Sequence, residues 1–288
     1  MTATTLPSGL PSPVPSAISS RSSAVDDPDG RRVTQRSVCR AEWIKFVSVR
    51  SNVRALVGAG LVLLVFGTLF ASLAGSDEAL PPNAAGATDS LSMTFAGMNL
   101  SQLVLGVLGA VFVAGEYTTG MIRTMFTAVA DRVSVLRAKA IVLGFGSWLV
   151  MTVASVVVFF AGQAVYAGDG ATYALTDDGV LRAVLGGGVY GAGIALMGLA
   201  LGFLLRSTAA AIGTLVATLM VAPGLIGLLP DAFSDTVGKY LPSNAGQAFL
   251  SVSPNETLLS PAAGFAVFTV WAVGLLAAAV VVLRRRDA

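Results

Sequence analysis

Histidine is missing from the chain and cysteine occurs once, at Cys39. The commonest general base and metal ligand are therefore excluded, and so is an internal disulfide. Ser101 and Ser155 lie in apolar stretches with no Lys or His companion at membrane depth, so neither has the base that nucleophilic catalysis needs. A phosphate-binding loop, G-x-x-x-x-G-K-[ST], requires Ser or Thr after its Lys. Here Lys45, Lys139 and Lys239 precede Phe46, Ala140 and Tyr240. The sequence thus predicts a chain that binds no cofactor, metal or nucleotide, and any ATP-driven work must come from a partner.

The remaining polar residues of interest are of two kinds. Gln102 and Gln163 sit inside apolar stretches, where an unpaired amide is costly, so each should face protein or water. Interhelical hydrogen bonding is the first expectation for them, and a place on a translocation path the second. The other kind is a mixed-charge stretch, 115–140, with Glu116 and Asp131 against Arg123, Arg132, Arg137 and Lys139. Both signs on one short connection suit a surface that faces another protein, although such a loop also sets topology by itself.

These residues need elements to hold them, and composition says which. Apolar residues make up 55% of the chain and charged ones only 12%, far from the soluble average. Six apolar segments of spanning length are expected, at about 55–74, 94–114, 141–167, 183–205, 209–229 and 262–283. Pro223 alone among the prolines falls inside one. Net charge is +2, too small to point to nucleic acid. Residues 1–33 are rich in Pro and Ser, have no apolar signal core, and read as a disordered tail before a membrane domain at 34–288.

Orientation follows from the basic residues, which the cytoplasmic side retains. Arg31 to Arg54 precede the first span, Arg123 to Lys139 separate the second and third, Arg206 separates the fourth and fifth, and Arg284 to Arg286 follow the sixth. Arg182 and Lys239 fall on the opposite side, together with most of the acids. Both termini are therefore expected in the cytoplasm, with the protein in the cell membrane. The segment Arg36 to Val53 reads either as an amphipathic interfacial helix, Trp43 and Phe46 on its apolar arc, Arg40 and Lys45 off it, and Glu42 anomalously near the apolar side, or as a plain juxtamembrane anchor. Val133 to Lys139 is expected as a short helix of its own before the third span. Gly187/Gly191 and Gly198/Gly202 have the spacing of closely packed membrane helices. The connection 230–261, broken by Pro242 and Pro254, is expected to form short pieces in or on the membrane, with an ordinary surface loop as the alternative.

Several stretches carry a family likeness. Arg40-Ala-Glu-Trp-Ile-Lys-Phe resembles the amino-terminal signature of permease subunits from actinobacterial ABC-2 transporters, and Gly115-Glu-Tyr-Thr-Thr-Gly-Met-Ile-Arg-Thr resembles their segment at the inner end of the second span. Arg132, Arg137-Ala-Lys139, Leu205 to Ile212, Tyr240 to Gln247 and the closing Leu-Arg-Arg-Arg-Asp follow in the same order, so the likeness runs over 34–288.

What the resemblance implies is an all-α permease of the ABC-2, type V exporter-like kind, with an interfacial helix, six spans and a coupling helix. It implies two permease chains, as a homodimer or heterodimer, and a separate P-loop ATPase subunit that holds ATP and Mg. By the same resemblance Glu116, Gly120 and Arg123 belong to the inward continuation of the second span, Arg132, Arg137 and Lys139 to the coupling helix, and Arg40, Glu42, Trp43 and Lys45 to the interfacial helix. The competing class is a secondary transporter or channel. It would need ionisable groups at the bilayer midplane, and no proposed span carries one.

Overall fold

The computed structural model describes residues 34–74, 90–118, 132–167, 172–252 and 258–285; the tail at 1–33, Gly120 and Arg123 lie outside them. Among the described residues every regular element is helical, and six helices are long and apolar enough to cross a membrane. This is an all-α, multi-pass membrane protein.

Helix α1 (Gln35–Ser48) opens on Thr34, whose side chain accepts from the Ser37 amide and so satisfies a donor that the helix itself leaves bare. Val49 is extended, and the chain turns there into α2 (Arg50–Ala74). At 25 residues α2 is about 37 Å long, enough to cross ~30 Å of hydrocarbon.

The second span is split into α3 (Ser90–Phe95) and α4 (Met98–Thr118). At the junction α2 comes backbone to backbone with it. A Cβ on Gly97 would lie 2.6 Å from the Gly67 nitrogen, and one on Gly67 would lie 2.5 Å from the Thr94 carbonyl oxygen. Any larger residue on either side would force the helices apart.

Helix α5 (Arg132–Tyr166) corrects the expectation of a separate coupling helix at 133–139. Nothing in Arg132 to Ile141 can stop a helix, neither Pro nor Gly, so the charged turns and the third span form one element of 35 residues. Its length of about 52 Å carries it well beyond the hydrocarbon core.

Helix α6 (Val180–Leu205) ends at Arg206, which takes the left-handed conformation at φ 52° while its amide bonds the Gly202 carbonyl. Ser207 then caps α7 (Thr208–Val216). A π turn, Ala217–Val221, links α7 to α8 (Ala222–Ile226). Pro223 accounts for it: the ring lacks an N–H and crowds the preceding turn, and one looser turn absorbs the mismatch.

After the fifth span come the short helices α9 (Asp231–Val237) and α10 (Pro242–Leu250), the latter begun by its proline, and then the sixth span α11 (Pro261–Arg285). Arg182, one of the cations left on the acidic side by the charge count, caps α10. Its guanidinium donates to the Phe249 carbonyl and, at 2.8 Å, to that of Ser251.

Helices α4 and α6 are the most buried spans and form the centre of the bundle. A Cβ on Gly198 would lie 2.1 Å from the Gly106 carbonyl oxygen, and one on Gly109 would lie 2.1 Å from that of Ala195. The small-residue spacing read from the fourth span therefore serves close packing. Helices α2 and α5 flank this pair, while α7, α8 and α11 are the least covered.

Candidate functional site

At the arginine-rich end of the bundle, four charged side chains from three elements form one continuous chain. Lys139, on α5, is completely buried, and its Nζ lies 2.8 Å from Glu42 Oε2 of α1 and 2.8 Å from Glu116 Oε1 of α4. Lys45, one helical turn beyond Glu42, bonds the same Glu116 oxygen. The order Glu42, Lys139, Glu116, Lys45 alternates in sign and sums to zero. Burying ions is costly, and alternation of this kind is what makes it tolerable.

Aromatic and amide contacts complete the clasp. The Lys139 ammonium sits 4.5 Å from the centroid of Phe112, and Phe46 packs edge-on against the same ring at 5.4 Å. Gln35 donates from Nε2 to the Ser134 carbonyl at 3.1 Å and accepts from the Ser134 hydroxyl. Because Gln35 meets Ser134, Glu42 meets Lys139 and Trp43 meets Phe145, α1 runs alongside the first turns of α5 in the same direction. Its buried face is Val38, Glu42 and Phe46.

This arrangement explains the anomaly of Glu42. The carboxylate near the apolar arc points into the protein, to a lysine on another helix. Glu42, Lys45, Glu116 and Lys139 are thus brought together, with Glu116 and Lys139 turned inward instead of displayed on a docking surface. Arg40 and Arg137 are exposed, and Trp43 is partly so. Arg132 begins α5, but its side chain lies outside the described residues, as do Gly120 and Arg123.

The two glutamines belong to separate networks. Gln102 is buried, accepts from the Tyr190 hydroxyl and donates to the Asn99 carbonyl at 3.1 Å. Gln247 of α10 adds a bond of 2.9 Å to Asn99 Oδ1, and Tyr190 stacks on Phe268 with centroids 5.1 Å apart. Gln163 instead accepts from the Tyr173 amide at 2.7 Å, near the start of the connection to α6. Sequence reasoning missed Asn99, Tyr190 and Gln247 as partners, as well as the Arg206 guanidinium 5.5 Å above the Tyr117 ring. The available signal was polarity inside a span, which marks a residue as needing a partner but not which one. Among the described residues no three His, Cys, Asp or Glu side chains converge as a metal site would require.

A family model described as ABC-2 family transporter protein matches residues 39–228. The chain belongs to the ABC-2 transporter family. The match takes in α1 from Cys39, the first five spans and the whole charge chain, and stops before α9, α10 and α11. No curated protein matches the chain. An ABC-2 membrane protein is the permease subunit of an ABC transporter and is not itself the catalyst, so membership implies an ATPase partner. In this ABC-2 permease the alternating ions tie the amino-terminal helix to α4 and α5.

Proposed function

We propose that this permease subunit works as an exporter, in the cell membrane, with both termini cytoplasmic and two permease chains forming the path. A separate P-loop ATPase, which binds ATP and Mg, docks at the arginine-rich end. The observation that carries this reading is the ion chain Glu42, Lys139, Glu116, Lys45, which joins α1, the end of α4 and the start of α5 into one block. A push on any part of that block is delivered to α4, and α4 lies against α6 at the centre of the bundle.

Coupling then needs no group on this chain that touches nucleotide. The ATPase pair has different shapes with and without ATP, and a docked permease whose block fits one shape better is shifted toward the matching conformation. The exposed Arg137, two residues before the buried Lys139 and so on the other face of α5, is positioned to contact the motor while Lys139 holds the block together.

The test is co-purification and hydrolysis. Tagged permease co-expressed with its cognate ATPase should retain it and stimulate its ATP turnover in proteoliposomes, and the permease alone should hydrolyse nothing. ATP turnover by the isolated chain, or substrate flux without any ATPase, would overturn the proposal.

A further inference from the structure

Between α1 and the start of α5, on the side away from the ion chain, lies a groove of about 660 Å³, a volume within the ~300–1,000 Å³ of small-molecule sites. One wall is cationic. Arg36 and Arg40 are four residues apart on α1, hence on one face, and both are exposed. Neither makes an ion pair with any described residue, and no acid lines the groove. Glu42, the only acid on α1, is turned the other way and held by Lys139.

The other wall is apolar and aromatic. Ile141 and Phe145 of α5 face Trp43 of α1, all partly exposed. The rings form a ladder: Trp43 to Phe145 at 6.1 Å, then Phe145 to Trp148 at 6.0 Å, climbing α5 into its membrane-spanning part. The groove therefore offers fixed positive charge at one end and a lipid-accessible aromatic track at the other.

We propose that this groove binds one anionic phospholipid, its phosphate between Arg36 and Arg40 and an acyl chain along Trp43, Phe145 and Trp148. Both walls are needed to select it. A free phosphate would use only the arginines, and a zwitterionic lipid would bring its own cation against them. Charge complementarity at the membrane boundary favours the anionic headgroup. The lipid bridges α1 and α5 from outside, opposite the Glu42–Lys139 contact, and so bears on the block described above without depending on a motor being docked there.

Cys39 lines the same groove and is the chain's only cysteine, which gives a direct reporter. Full-length protein is placed in nanodiscs of phosphatidylcholine, with or without phosphatidylglycerol, and the rate of maleimide attachment to Cys39 is measured. Phosphatidylglycerol should slow labelling. Its half-effective content should rise about fivefold for each of Arg36→Gln and Arg40→Gln, and Arg→Lys at both positions should keep most of the protection. Four results would overturn the proposal. These are equal rates in the two lipids; equal protection of a thiol on the opposite side of α1, at the exposed position two residues on from Cys39 (Ala41→Cys in a Cys39→Ser background); protection by inorganic phosphate in phosphatidylcholine discs; and protection by the co-purified ATPase alone.

Discussion

Glu42 and Lys139 stand 97 positions apart in the chain, yet Oε2 and Nζ meet at 2.8 Å with the lysine wholly buried. Removing the cation leaves Glu42 and Glu116 facing each other in a poorly solvated site. Lys139→Met is therefore expected to destabilise the protein by about 3–5 kcal/mol. Glu42→Gln, which leaves Lys139 its contact with Glu116, should cost less. A double-mutant cycle on thermal unfolding in detergent should show a coupling of about 0.5–3 kcal/mol; strict additivity would mean the two charges do not interact.

Arg137 and Glu116 separate docking from internal structure. Arg137→Glu changes an exposed side chain, so its effect on unfolding should stay within ~0.5 kcal/mol, while retention of the cognate ATPase falls. Glu116→Lys should instead lower the unfolding temperature before any partner is added, since it places a third cation beside Lys139 and Lys45. If both variants bind the ATPase as the parent does, neither helix end forms the docking surface.

The six spans were legible because apolar length is a one-dimensional property. Their ends were less so. The third span was expected from 141, but α5 starts at Arg132, because charged residues with good helix propensity continue a helix as well as apolar ones do. Similarly, the second span's break at Ala96–Gly97 answers to the approach of α2, which no local pattern announces. The charge chain was half legible. Glu42 stood out as misplaced on its own helix, but its partners lie on helices whose register against α1 only tertiary packing fixes.

Tyr190 tests the buried polar network beside the α4–α6 seam. Tyr190→Phe keeps the stack on Phe268 and deletes the bond to Gln102, leaving a buried amide oxygen short of a donor. A loss of about 1–3 kcal/mol is expected. Gly246→Ala should be worse for a different reason: its new Cβ would fall 2.0 Å from the Tyr190 ring, which is itself pinned between Phe249 and Phe268. Thermal unfolding of the two variants should rank them in that order.

The seam between α4 and α6 can be probed at Gly198, where a Cβ would meet the Gly106 carbonyl oxygen at 2.1 Å. Backbone cannot rotate out of the way as a side chain can, so Gly198→Ala must push the two central helices apart. A destabilisation of about 1–3 kcal/mol is expected. Gly213→Ala, with nothing within 4 Å of its new Cβ, is the matched control and should leave stability unchanged or raise it slightly.

Topology ties the charge chain to the motor, and two positions decide it. Arg137 and Thr176 are both exposed, one at the arginine-rich end of α5 and the other in the connection between α5 and α6. In a Cys39→Ser background, Thr176→Cys should react with a membrane-impermeant maleimide on intact cells, whereas Arg137→Cys should react only after permeabilisation. The expectation rests on basic residues being held on the cytoplasmic side, and on Arg182, the cation nearest Thr176, being engaged in capping α10. Labelling of Arg137→Cys from outside would put the ion chain and its arginines where no ATPase can reach them, and the exporter proposal would fail with it.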